Sequence, residues 1–317
     1  MTPSDDLREV LFGGLVWYEA LSEAETSTWG AWRTAKGTEA ACWIPLLNAG
    51  FAFAAEHDLV DRYRIKFAGI SLGDLRLDKA ERERRVSTFP IWEIANELIV
   101  ARYLEKVLEW TFREHEPEGR GSRRGDWEFV TRSGRHVFVE VKSLQEAEPR
   151  DTGVYSRPDY GPRLRSVLKG AYAQLPDDGR ATLVVLVGKE LMRIPFGIMH
   201  GDLFQALYGR IQVRFRVMPY DPTSVRMGPS FRDMFVHGTK HRRLGCVAGL
   251  AAVGIDVPAV RAYAIHNPYA YPAVKLLPED LRNADQFVID DDGYGQTVDG
   301  IDRNDVWPRM ARASSFA

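Results

Sequence analysis

Alternation of apolar and polar positions is concentrated near the middle of the chain. Asp126-Trp127-Glu128-Phe129-Val130 and His136-Val137-Phe138-Val139-Glu140-Val141-Lys142 flank Arg132-Ser133-Gly134. A period of two marks half-buried strands joined by a tight turn. The odd positions Trp127, Phe129, Val137, Val139 and Val141 are all apolar and form one face, while Asp126, Glu128, Glu140 and Lys142 lie on the other. The turn decides which groups meet. A two-residue turn at Ser133-Gly134 would pair 126 with 141 and put Asp126 and Glu140 on opposite faces. A three-residue loop, Arg132 to Gly134 with Gly134 left-handed, is a common G1-bulge connection and keeps the apolar positions together. That register sets Asp126 opposite Glu140, with Cβ atoms about 4.5–5.5 Å apart. Two carboxylates so close repel, and a divalent cation is the usual relief.

A helical period runs from Ile91 to about Phe112, with Pro90 near its first turn. Ile94, Leu98, Ala101, Leu108 and Phe112 share one face of that helix. Glu97 falls inside this apolar arc, as does Glu105, and Glu93 sits just off its edge. A carboxylate facing a core needs a partner or a metal, and for Glu97 both a metal and a core Arg or Lys stay open. A second helix is expected from Pro162 to Leu175, ended by Pro176-Asp177-Asp178-Gly179. The apolar run Ala181–Val187 then suggests a central strand buried on both faces. A strand, a crossover helix and a parallel strand form a right-handed unit.

An Asp on one strand, a Glu-x-Lys on the next (Asp126, Glu140-Val141-Lys142) and a preceding helix bearing Glu resemble the PD-(D/E)xK nuclease superfamily. Gly125 stands where that family usually has Pro. The resemblance implies an α/β, restriction endonuclease-like fold: a mixed sheet flanked by helices, with N- and C-terminal elaborations. Its first strand would be a short one hidden within 112–124. The resemblance also implies a metal-dependent phosphodiesterase acting on nucleic acid, DNA before RNA, with Mg²⁺ or Mn²⁺ as cofactor. Asp126, Glu140 and the Val141 carbonyl would hold the ion, with Glu97 contacting it directly or through water. Lys142 would orient or deprotonate the attacking water, or stabilise the phosphorane. Some branches add a Gln or Lys from the second helix, for which Gln174 and Lys169 are the candidates here, against a solvated helix surface. Many such nucleases act as dimers, so a homodimer is a further expectation, although nothing in the sequence locates its interface. Restriction, repair and phage defence would all suit such an enzyme.

Composition adjusts this picture. Lys and Arg number 42 against 44 Asp and Glu, so the chain is not globally basic, which counts mildly against nonspecific DNA binding. The balance shifts locally. Arg120, Arg123, Arg124, Arg132, Arg135 and His136 lie beside the acidic motif, followed by Arg157, Arg163, Arg165 and Lys169. Together they suggest a phosphate-tracking groove, the alternative being a solvated face. Two cysteines, Cys42 and Cys246, match no zinc spacing and read as buried thiols of a reducing compartment. Met1-Thr-Pro-Ser-Asp-Asp is not a signal peptide, and the apolar stretches Cys42–Ala55 and Gly245–Ile255 are too short to span a bilayer. A cytoplasmic protein with no membrane partner is expected.

The flanks say less. Residues 1–80 contain Trp17, Trp29, Trp32 and Trp43, core at that density, or base-stacking platforms if exposed. The charged run Asp78–Arg85 is the best boundary. The expected organisation is residues 1–80 as a Trp-rich N-terminal elaboration, 81–190 as the nuclease-like core, and 191–317 as a C-terminal elaboration extending the same sheet. Within the last, Asp202–Leu207 reads as helical, and Ile211–Met218 alternates with Arg214 and Arg216 outward. Pro219–Lys240 reads as loop-rich, Val247–Val253 and Ala259–Ile265 as apolar strands, the second starting after Pro258. His266 follows in a turn with no partner at readable spacing, Gly238 argues against a zinc site at His237 and His241, and the acidic, Gly-rich tail from Asp290 reads as poorly packed.

Three functional readings are carried forward. The first is a nuclease; the second is a catalytically inactive binding or scaffold protein of the same fold. The third is an unrelated α/β protein whose hairpin charges form a surface ladder. A glycoside hydrolase using Asp126 and Glu140 is disfavoured, because it leaves Lys142 without a role.

Overall fold

The structure, a computed structural model, describes residues 7–22, 38–71, 89–144, 161–188, 203, 206–207, 210–218, 221–232, 240–253, 259–289 and 295–298. The charged run 78–85, Trp29, Trp32, Arg157 and His237 lie outside the described residues, as do the side chains of Cys42 and Trp43.

Short helices α1 (Leu7–Phe12) and α2 (Val16–Ser22) lead into α3 (Thr38–Glu56), α4 (Val60–Ala68) and α5 (Phe89–Lys106). Strands β1 (Thr111–His115), β2 (Trp127–Val130) and β3 (His136–Leu144) follow, then α6 (Gly161–Tyr172) and β4 (Ala181–Gly188). After these come β5 (Arg210–Met218), β6 (Asp221–Arg232), β7 (Cys246–Val253), β8 (Ala259–His266), β9 (Asp285–Ile289) and β10 (Gly295–Val298). Eight strands form one mixed sheet in the order β1-β2-β3-β4-β7-β8-β9-β10, and β5 and β6 form a separate two-stranded ribbon. β1, β2 and β3 pair with one another antiparallel, whereas β3, β4 and β7 run parallel. Helix, three-strand meander, crossover helix and parallel strand thus follow the order of a restriction endonuclease-like core.

The β2–β3 hairpin adopts the expected register. Trp127 pairs with Val139 and Phe129 with Val137. The loop closes with the Thr131 N–H donating to Arg135 O at 2.9 Å. Gly134 sits at φ +81°, a conformation a Cβ would strain. The odd face, Trp127, Phe129, Val137, Val139 and Val141, packs into the larger core with α3, α4 and α5. The even face is not left to water: Phe138 and Leu144 join Leu164, Leu168 and Ala171 of α6 in a second core. Each fully buried Val or Phe contributes roughly 1.5–3 kcal/mol, so both layers anchor the hairpin. As the unbroken apolar run predicts, β4 is buried along its whole length.

Several elements differ from the sequence expectation. The helix begun at Phe89 ends at Lys106, so Leu108 and Phe112 do not lie on it. Glu109, at φ +57°, reverses the chain, and the β-branched and aromatic Thr111-Phe112 extend into β1. Helical spacing of apolar residues continued past the break by coincidence. The second helix likewise stops at Tyr172, before Leu175. The segment read as loop-rich contains β6, where Pro229 stands opposite Val213; proline is tolerated because both strands of a two-stranded ribbon are edges. Gly295–Val298 of the tail pairs with β9. Trp17 is core, its Nε1 donating to Phe67 O at 2.8 Å. His266 is buried against Gln286 Oε1 at 2.8 Å, a structural contact. Cys246 is buried, which pushes its thiol pKa up. Among the described residues no helix is long and apolar enough to cross a membrane.

Candidate active site

Gly125 explains how the acidic motif is presented. A Cβ at this position would lie 2.2 Å from Phe138 Cζ, so only glycine lets the chain pass over that ring. The next residue, Asp126, stands where β2 leaves the ladder. Its N–H donates to Val139 O at 3.2 Å, and its Oδ2 accepts the Val141 N–H at 2.6 Å. A carboxylate thus takes a strand N–H that a main-chain acceptor would otherwise satisfy, and this fixes Asp126 against β3.

Glu140 lies mid-strand on β3, one residue past its pairing with β2 and opposite Val184 of β4. It is completely buried. Lys142 Nζ lies 2.5 Å from its Oε1, without the alignment of a hydrogen bond, and among the described residues Oε2 has no hydrogen-bond partner. An ionised carboxylate oxygen sealed without a donor is costly. Burial lifts Glu140 to about 7, the Lys142 charge opposing and Glu97 adding to the rise. Asp126 is raised well above its ordinary value by burial, then by Glu97 and Glu140, against the Val141 N–H and Lys142. For Lys142, burial lowers the pKa, but Glu140, Asp126 and Glu93 outweigh it and hold the ammonium above its usual value.

Glu97 lies on α5, near enough for its charge to raise both members of this pair. Its Oε2 accepts from Tyr63 Oη and from Lys66 Nζ, both at 2.9 Å. Its main-chain oxygen accepts the Trp127 indole N–H at 3.2 Å, tying α5 to β2. The core-lysine alternative for Glu97 is therefore realised, while its charge still reaches Asp126 and Glu140. Lys66 also bridges to Glu116 Oε1 at 3.2 Å. Glu93, one turn earlier, is raised by burial and by Glu97, against Lys142. Carboxylates thus outnumber the two lysines here, and the donors are hard oxygens, a set that suits Mg²⁺ or Mn²⁺.

Other sequence candidates fall elsewhere. Arg135 donates to Lys275 O at 2.9 Å at the hairpin tip, about 16 Å along the strand from Glu140 at ~3.3 Å per residue. Arg132 pairs with Glu109. Glu128, although on the acidic face, is engaged by Arg180 at 2.6 Å and His136 at 2.7 Å. Arg120, Arg123 and Arg124 are exposed on the loop leading into Asp126, with Arg120 paired to Asp177 at 3.2 Å. Lys169 is exposed on α6. Gln174 lies past the helix end, its Nε2 donating to Arg124 O at 3.3 Å, so it braces the arginine loop. Among the described residues, three ligand-type side chains whose atoms lie within 4.8 Å of one another, Glu56, His57 and Glu105, meet at the end of α3. There the buried Arg102 and Lys106 already neutralise the carboxylates.

Sequence reasoning missed Tyr63, Lys66 and Glu116. The signal was present in α4, where Tyr63, Lys66 and Phe67 share the i, i+3, i+4 stripe that faces the core. A lysine on an apolar stripe is the complement of Glu97 inside its apolar arc.

The sequence matches no protein-family model and no curated protein. Among solved structures, Pyrococcus furiosus SfsA in complex with Ca²⁺ is similar at 25% identity and a TM-score of 0.20, over 37% of this chain. The match spans about half, 52%, of the SfsA chain. A superposition that loose bears on neither fold nor chemistry.

Proposed function

We propose that this protein is a metal-dependent nuclease that hydrolyses the phosphodiester backbone, of DNA before RNA. The observation that carries the reading is the buried Glu140 carboxylate, one oxygen without a partner among the described residues, beside Asp126 and Lys142. A surface ladder would leave these groups in water, and a fold freed from catalysis has no reason to seal a carboxylate with one oxygen left without a donor.

Asp126 and Glu140 would hold Mg²⁺ or Mn²⁺. The N–H and C=O of one strand residue point to the same side. The Val141 carbonyl therefore faces the edge where its N–H meets Asp126, and it would supply a third oxygen. When bound, the ion supplies a water of lowered pKa and neutralises charge developing on the phosphate. Lys142 stands next to Glu140, placed to hold that water or to stabilise the phosphorane once the carboxylate is otherwise engaged. Arg123 and Arg124, exposed just before Asp126, would meet the phosphates flanking the cut. Glu97 would add negative charge from α5.

The test is cleavage of labelled single-stranded, duplex and branched DNA, and of RNA, in Mg²⁺, Mn²⁺ or chelator. Wild type is compared with Glu140→Ala and Lys142→Ala. Metal-dependent cutting lost in both variants is the expected result. Metal-independent cutting, or cutting that survives Glu140→Ala, would overturn the proposal.

A further inference from the structure

Lys66 fills a carboxylate niche beside the Asp126 and Glu140 pair, between Glu97 and Glu116. In two-metal centres, divalent ions sit about 3.5–4 Å apart and share carboxylate ligands. Two carboxylate niches exist here. Asp126 and Glu140 form one, in which Glu140 Oε2 is buried without a hydrogen-bond partner among the described residues. Glu97 and Glu116 form the other, and it is already filled by a cation. Lys66 Nζ lies 2.9 Å from Glu97 Oε2 and 3.2 Å from Glu116 Oε1. The Tyr63 hydroxyl donates to the same Glu97 oxygen at 2.9 Å, and the Tyr63 ring lies 5.1 Å from the ammonium. The elements that supply these groups are packed together: Tyr63 is fully buried on α4, Glu97 extends from α5, and Glu116 follows β1 directly.

Resting on the nuclease reading above, we infer that the site takes one divalent ion, at Asp126 and Glu140. Lys66, fixed between Glu97 and Glu116, serves as the built-in second cation. Glu97 is then the anchor of Lys66 rather than a metal ligand. Two consequences follow from charge alone. A lysine has a fixed +1 charge at neutral pH, so the niche stays neutralised without metal. An ion entering beside it would meet like charge at short range and displace a three-point contact. Lys66 is a positioning residue in this account, since it acts through Glu97 and the ion rather than by touching substrate.

The experiment is Mn²⁺ titration of the whole chain at pH 8 by calorimetry, with electron paramagnetic resonance on the same samples. Wild type should bind about one Mn²⁺ per chain and give the spectrum of an isolated ion. Lys66→Met, which keeps the length and removes the charge, should bind about two, with the spectrum of a spin-coupled pair. Lys66→Arg should restore the single ion. A wild-type stoichiometry of about two, or a Lys66→Met that stays at one while folded by circular dichroism, overturns the inference and leaves the nuclease reading standing. No Mn²⁺ bound by wild type removes both. Wild-type stoichiometry decides the point even if the methionine variant fails to fold.

Discussion

Burial lifts Glu140 to about 7, with Lys142 opposing and Glu97 adding to the rise, whereas an unfolded glutamate titrates near 4.3. Between those values the folded, metal-free protein holds a proton that the unfolded chain has released. This group therefore stabilises the fold at acid pH, and its contribution is lost as pH rises through about 7. His115 runs the other way. Burial, then Lys66, lowers it to about 4, with Glu116 opposing, so its contribution is present above about 6.5 and lost as pH falls toward 4. The two slopes oppose each other in wild type, and Glu140→Gln separates them. Metal-free Glu140→Gln should gain about 2–3 kcal/mol relative to wild type between pH 5 and pH 8, measured by urea unfolding. An unchanged difference would mean that Glu140 ionises normally. A metal held by Glu140 would compete with the proton for this carboxylate. Apparent Mn²⁺ affinity should fall about tenfold or more from pH 8 to pH 6. In Lys142→Ala, where the opposing charge is gone, the midpoint of that fall should move to higher pH while cleavage is lost.

At the scale of elements, the hairpin was the most legible part of the chain. Its period of two and a glycine at the left-handed turn position leave one register that buries Trp127, Phe129, Val137, Val139 and Val141 together, and that register is adopted. The end of α5 was not legible, because the reversal at Glu109 uses a non-glycine residue in a left-handed conformation while the apolar spacing continues. Lys66 was missed because nothing local joins α4 to α5; only the fold brings its ammonium to Glu97. Gly125 was read as a departure from a motif, whereas its cause is the Phe138 ring lying under it. Gly125→Ala should cost about 1–3 kcal/mol by overpacking and weaken Mn²⁺ binding through a displaced Asp126. Phe138→Leu in the same chain should recover part of both losses, as read by unfolding and calorimetry. If Gly125→Ala is neutral in both, the close approach does not position the site.

For the whole molecule, the two ends of β3 have different tasks. The end near Glu140 and Lys142 gathers charge, whereas the hairpin tip and the α5–β1 link beside it are stitched to the C-terminal part of the chain. Ser133 Oγ donates to Asp280 Oδ1 at 2.7 Å, the Trp110 indole N–H to Asp280 O at 2.9 Å, and Asn283 Nδ2 to Val107 O at 2.6 Å. The same sheet continues from β4 through β7 to β10. Asp280→Ala should therefore lower stability by about 1–3 kcal/mol yet leave Mn²⁺ affinity at pH 8 unchanged; a loss of affinity in the folded variant would show that the tip and the site are coupled. The nuclease proposal rests on the Glu140 carboxylate, its Oε2 without a partner among the described residues, being a metal ligand. Calorimetry of Mn²⁺ binding at pH 8 to wild type and Glu140→Gln tests this most directly. The account predicts binding by wild type and an affinity lower by about a hundredfold or more in the variant; equal affinity in the two proteins would contradict it.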